Sequence, residues 1–270
     1  MCEFPGKITG FLCALGISFG AVAPASAEPL PVDLELILAV DVSWSMDLDE
    51  QQFQRAGYVA AMRDPAVIDA IVGGGWGRIA VTYVEWAGSD LQTVVVPWTL
   101  IDSAESAHLF AAGLASMRIG RLRRTSISSA LGFSELYFEQ NDFQGLRRVV
   151  DVSGDGANNQ GMPVTVLRDR LVSQGIVING LPLMTREGMG QQWHLDDLDE
   201  YYRHCVIGGP SAFVIPVLEW DHFPEAVRRK LILELVGLPA GPDSGPIRRA
   251  QGYDCLVGEK IWDRMMDDWN

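Results

Sequence analysis

Short apolar runs alternate along the chain with longer stretches whose apolar residues recur every three or four positions. The first run, residues 34–40 (LELILAV), is apolar at nearly every position, as a strand covered on both faces requires. Asp47 or Asp49 can cap a helix over 51–62, with Phe53, Ala56, Ala60 and Ala61 as its inward face. A short helix over 66–72 ends at Gly73-Gly74-Gly75. Strands are expected over 78–86 and 91–98. The link between them, Ala87-Gly88-Ser89-Asp90, allows a hairpin but no parallel crossover, and Pro97 puts the second strand at an edge. Further helices are expected over 103–117 (buried stripe Ala107, Phe110, Ala111, Leu114), 126–139, 163–173, 196–206 and 223–235, and strands over 146–152, 176–183 and 212–217. Strands alternating with helices, apart from one hairpin, predict an α/β domain. Its doubly wound, mostly parallel central sheet carries one antiparallel edge strand and helices on both faces.

The ends of the chain follow other rules. Lys7, an apolar stretch from Ile8 and the small-residue site Ala25-Ser26-Ala27 read as a secretory signal peptide over 1–27, with an N-terminal membrane anchor as the alternative. No later segment is long and apolar enough to span a bilayer after signal cleavage. The Pro- and Gly-rich stretch 238–245 closes the domain, and the tail to residue 270 holds Cys255 and an amphipathic helix over 259–269. Removing the signal leaves Cys205 and Cys255. In an oxidising compartment such a pair is bridged, which would staple the tail to the domain; two buried free thiols are the alternative. A secreted or periplasmic location follows from the signal. The formal net charge of −14 excludes nucleic-acid binding by counterion release and suits a cation or a basic partner.

Chemistry concentrates where strands end. The first strand empties into Asp41, Ser43 and Ser45, a threonine, Thr125, precedes the helix starting near Ser126, and Asp155 follows the strand ending at Val152. Ligands of open α/β sheets sit outside the strand carboxyl ends. Oxygen-only donors suit hard cations, Mg²⁺ first, with Mn²⁺ and Ca²⁺ as alternatives. Capping would account for Asp41 alone but not for Ser43 and Ser45 with it. Asp47, Asp49 and Glu50 read as helix-start charges, and His108, His194, His204 and His222 as structural or surface residues. The chain has no Gly-x-Ser-x-Gly elbow, phosphate-binding Gly-Lys-Ser/Thr loop or Cys-x-x-Cys.

On these residues the chain resembles the von Willebrand factor A (VWFA) domain family. DVSWS (41–45) matches its Asp-x-Ser-x-Ser motif, Thr125 stands where its metal-site threonine belongs, and SGDGANN (153–159) matches its third loop, with Asp155 as the aspartate. The resemblance covers 32–237. More narrowly, YYRHCVIGGPSAFV (201–214) resembles a secreted bacterial branch known by a domain-of-unknown-function label. The resemblance implies a Rossmann-like fold and a metal-ion-dependent adhesion site (MIDAS). In it Ser43, Ser45 and Thr125 ligate the cation directly or through water, while Asp41 and Asp155 act through bound water. It implies a protein-binding module without catalysis of its own, whose cation captures a carboxylate of a protein partner. Two rivals stay open: a metal-dependent hydrolase, and a structural domain with a degenerate site. One departure bears on the last. Arg123-Arg124 stand where many members have two glycines, either weakening metal affinity by repulsion, gripping an acidic ligand, or forming a solvated basic loop. Trp44, inside the motif, is either a rim contact or packing beneath a neighbouring loop.

Overall fold

In a computed structural model, which describes residues 1–2, 28–185, 194–237 and 252–267, a five-stranded sheet organises the chain. Strand β2 (Leu34–Asp41) lies at its centre. It pairs in parallel with β3 (Ile79–Trp86) from Leu34↔Ile79 to Asp41↔Trp86, and with β6 (Arg148–Gly154) from Glu35↔Arg148 to Val40↔Ser153. Beyond β6 lies parallel β7 (Ile176–Pro182). Beyond β3, the hairpin partner β4 (Gln92–Ile101) forms the antiparallel edge. Its register shifts where Pro97 falls, and Thr82 donates its hydroxyl to Val96 O at 2.7 Å. A proline has no ladder donor to lose there. The doubly wound α/β arrangement with one antiparallel edge is therefore present as expected. A small parallel pair, β1 (Leu30–Val32) with β5 (Phe143–Gly145), extends it beyond what the sequence pattern indicated.

Every residue of β2 is buried, and successive side chains serve opposite layers. Leu34, Leu36, Leu38 and Val40 join α1 (Leu48–Ala61), α2 (Pro65–Val72), α3 (Ala104–Ser116) and α7 (Phe223–Val236) through Tyr58, Ile71, Phe110, Leu114, Phe223 and Leu231. Ile37 and Ala39 meet α4 (Ile127–Phe138), α5 (Val164–Ser173) and the segment of α6 (Leu198–Tyr201) with its π-helical continuation Tyr202–Val206. Helix α8 (Val257–Asp267) lies in the tail.

Two expectations are corrected. Helix α1 starts at Leu48 under an Asp47–Glu50 capping box, and its inward face is not Phe53, Ala56 and Ala60. Phe53 is 60% exposed, and the buried residues include Gln51, Gln54, Arg55 and Tyr58. The reason is polar work beneath the helix. Arg55 donates to Leu114 O and Met117 O at 3.0 and 3.1 Å and pairs with buried Glu85, while Gln54 reaches Ser153 Oγ at 3.3 Å. The expected strand 212–217 is likewise only a set of isolated bridges alongside β7, Gly180↔Val214 and Leu183↔Val217. Ile215 N and Val217 N donate to Gly180 O and Pro182 O, so Pro216 between them faces away from β7 and gives that side no donor.

Cys205 and Cys255 form a disulfide, with Cα atoms 5.5 Å apart. The signal-peptide region 3–27 and the closing stretch 238–251 lie outside the described residues. No helix among the described residues is long and apolar enough to cross a membrane.

Candidate metal centre

The site is built where β2 and β6 end side by side. Asp41 closes β2, and the chain turns at once because the Asp41 carboxylate accepts the Ser43 amide at 2.7 Å. That turn brings Ser43 Oγ to 2.8 Å from Ser45 Oγ, and Ser45 Oγ donates to Asp155 Oδ1 at 2.7 Å. Four of the five expected site residues thus form one hydrogen-bonded chain. Thr125, the fifth, is buried on the adjacent loop. It is tied to the Asp155 loop by two reciprocal bonds: its amide donates to Asn159 Oδ1 at 3.0 Å, and Asn159 N donates to Thr125 O at 2.9 Å. Its hydroxyl lies 3.8 Å from where a Gly156 Cβ would stand, facing the same turn. The neighbouring Asn158 fixes the start of α4 by accepting Ser128 N at 3.0 Å.

Several contributors were not among the expected site residues. Gly154 is required sterically: a Cβ there would sit 2.9 Å from Asp41 Oδ2 and 3.1 Å from the Tyr202 hydroxyl. Tyr202 closes the underside, donating to Gly154 O at 3.4 Å. Gln51 holds the first loop from above through Ser43 O at 3.4 Å. Glu50 was expected only as a helix-start charge; it does cap α1, and it also lies close enough to raise the Asp155 carboxyl.

The electrostatics are those of a site short of positive charge. Asp41 is fully buried, and its Oδ2 has no hydrogen-bond partner. Burial first, and the charge of Asp155 second, hold the Asp41 carboxyl well above the usual carboxylate range, although Ser43 pulls it down. Burial likewise pushes Asp155 up to about 6 against the opposing Ser45 hydrogen bond. A buried anionic oxygen without a donor is costly, and a cation relieves it. Among the described residues no group of three or more His, Cys, Asp or Glu side chains could hold a metal. Any ion held here would therefore rely on hydroxyls with two carboxylates, a donor set suited to a hard cation. The residues fit the implied ion.

The basic loop 118–124 is stitched to this rim. Leu122 N donates to Val42 O at 3.0 Å, and Arg121 donates to Met46 O at 3.0 Å and Trp44 O at 3.1 Å. Trp44 is 49% exposed, so it stands on the rim rather than beneath a loop. Arg123 stacks over its indole at 4.2 Å and Arg121 flanks it at 5.5 Å, while Arg124 stacks over Trp262 of α8 at 3.9 Å.

A parallel sheet bearing this loop arrangement has the von Willebrand factor A-type fold. Solved structures agree. Proximal thread matrix protein 1 of the mussel byssus, with a zinc-occupied MIDAS motif, is 16% identical over 77% of this chain and 49% of its own (TM-score 0.52). The von Willebrand factor type A protein of Catenulispora acidiphila is 14% identical over 76% and 43% (TM-score 0.51). The pilus adhesin SpaC of Lactobacillus rhamnosus GG is 12% identical over 78% and 31% (TM-score 0.54). At these identities the likeness is one of fold, and this chain spans less than half the length of each. No curated protein matches it by sequence. The chain belongs to the family described as "Protein of unknown function (DUF1194)", whose model matches residues 31–239.

Proposed function

We propose that this protein is a divalent-cation-dependent protein-binding module that acts outside the cytoplasm and has no catalysis of its own. Asp41, Ser43, Ser45, Thr125 and Asp155 would hold the cation, Mg²⁺ by preference. A bound hard cation would supply an electrophilic position that a partner's carboxylate can fill. The chain's own residues do the rest. Asp41 sets the first loop through the Ser43 amide, Asp155 orients Ser45, and Asn159 ties the Thr125 loop to the Asp155 loop. Hydroxyls make up most of the donor set, so the ion keeps more of its charge for the incoming ligand than in a carboxylate cage.

The observation that carries this reading is the buried, unpartnered Oδ2 of Asp41 within a chain of oxygens linking both loops. The zinc-occupied MIDAS motif of the byssus protein, and SpaC as a pilus adhesin, support a cation and an extracellular role by analogy of fold. Calorimetric titration of the mature chain with Mg²⁺ and Mn²⁺ tests it. Saturable heat is expected for the native protein and none for a folded Asp41→Ala variant. If the native protein gives no heat at millimolar cation, the site is degenerate and the reading falls.

A further inference from the structure

The basic rim has an organisation that holding a cation does not require. Between Glu105 and Glu135 the chain has no acidic residue, yet it carries Arg118, Arg121, Arg123 and Arg124, in a protein of net charge −14. Among the described residues, Arg121, Arg123 and Arg124 engage indoles and backbone carbonyls instead of carboxylates. Positive charge beside a cation site opposes cation binding. Even so, the structure invests in holding it there. Arg55, paired with Glu85, anchors the start of the loop through Leu114 O and Met117 O, and Arg121 pins its end to the Trp44 and Met46 carbonyls. Arg124 adopts φ 71°, a left-handed conformation that favours glycine, and holds it while stacked on Trp262.

Stacking uses only the face of a guanidinium. Arg121 uses its N–H edge on the Met46 and Trp44 carbonyls, whereas the Arg123 edge has no partner among the described residues and is pre-oriented for the two oxygens of a carboxylate. Resting on the reading of the same site as a cation-dependent binder, we propose that Trp44, Arg121, Arg123 and Arg124 form the specificity surface of that site. Its ligand is a peptide segment carrying several acidic residues among apolar ones. One carboxylate meets the cation, and a neighbouring one meets the Arg123 edge. The apolar residues lie along the exposed Trp44 indole and the half-exposed apolar side of α8, where Ile261, Trp262 and Met265 stand. A polypeptide fits better than a sulfated glycan. The rim mixes indoles with its cations, and a uniformly charged polymer extending past it would meet the acidic body of the protein.

The test is fluorescence anisotropy of the mature chain with a short synthetic peptide of Asp and Glu interspersed with Leu and Phe. The Asn/Gln counterpart and a heparin fragment serve as comparisons, each in Mg²⁺ and in chelator, with cation affinity measured in parallel by calorimetry. The acidic peptide should bind in Mg²⁺, release in chelator and weaken steeply with salt. Arg123→Glu should weaken it about tenfold or more and Arg123→Gln by less, chiefly through slower association, while cation affinity holds or rises in both. Cation heat without peptide binding, or peptide binding that both variants leave intact, overturns the rim and spares the cation site. Peptide binding that the variants weaken but chelator does not, without cation heat, upholds the rim and sinks the cation reading. Tighter binding of heparin than of the peptide overturns the ligand class.

Discussion

Replacing Asp41 by Asn should make the cation-free protein more stable and the cation-loaded protein comparatively less so. Asn keeps the acceptor that receives the Ser43 amide at 2.7 Å and removes a fully buried negative charge whose Oδ2 has no partner. The Asn amide left there is itself an unsatisfied polar group costing about 1–3 kcal/mol, and a buried charge costs more, so the net gain expected is the difference, about 2 kcal/mol. For a domain of this size that corresponds to roughly 4–8 °C in Tm. The pH dependence has a definite sign. Both Asp41 and Asp155 have folded-state pKa values raised above the unfolded ones, Asp155 to about 6. The folded state therefore binds protons more tightly than the unfolded state, and stability falls as pH rises from about 4 through 6 and beyond. In chelator the native protein should melt higher at pH 5 than at pH 8, and Asp41→Asn should flatten that slope. Free Mg²⁺ at a hundredfold excess over its Kd adds about 2.7 kcal/mol to the native protein and little to the variant. The order of the two melting points should then close or invert. Differential scanning fluorimetry at both pH values, with and without Mg²⁺, reads all four arms. A variant no more stable than native in chelator at pH 8, or equal stabilisation of both by Mg²⁺, refutes the reasoning.

Three other perturbations probe the frame around the site. Gly154→Ala places a Cβ 2.9 Å from Asp41 Oδ2, so a loss of about 1–3 kcal/mol is expected, with weaker cation heat in the same titration. Lys230, fully buried against Asp151 at 2.8 Å and Glu234 at 2.5 Å, leaves two buried carboxylates without a counter-charge when changed to Met, Glu234 keeping only the Asn179 amide. Urea unfolding should show a loss of about 3–5 kcal/mol, smaller at pH 5 than at pH 8 because burial already lifts Asp151 to about 7; adding Asp151→Asn and Glu234→Gln should recover most of it. Reducing the Cys205–Cys255 bridge, whose ends are 50 residues apart, should cost up to about 4 kcal/mol and make 252–267 sensitive to protease, read by calorimetry and limited digestion.

The sequence disclosed most clearly what depends on local pattern. LELILAV is apolar at every position but Glu35 because β2 is covered on both faces, and the Asp-x-Ser-x-Ser turn is legible because three oxygens at alternate positions serve no core. The stripe Ala107, Phe110, Ala111 and Leu114 faces inward as its spacing indicates. What depended on distant partners was hidden. The inward face of α1 is polar because Glu85, Ser153 and the carbonyls at the end of α3 wait beneath it, and no spacing within the helix reports them. Tyr202 closes the candidate site from a π-helical turn, and nothing in the run YYRHC singles out its hydroxyl for that place. Arg123 and Trp44 were each visible as departures or candidates, but their stacking across two loops was not.

The disulfide also sets a line of force. Cys205 lies in the same π-helical turn as Tyr202, whose hydroxyl bonds the Gly154 carbonyl beside Asp41, and Gly258 packs so closely on the Asp155 loop that a Cβ there would overlap Asn158 O at 2.1 Å. Were the proposed binder gripped by a partner, tension applied at its tail would run through the bridge and α8 to the Asp155 loop and the end of β6, where the candidate site is built. In such a binder the grip and the tail would share one short mechanical path, which the oxidised bridge keeps closed.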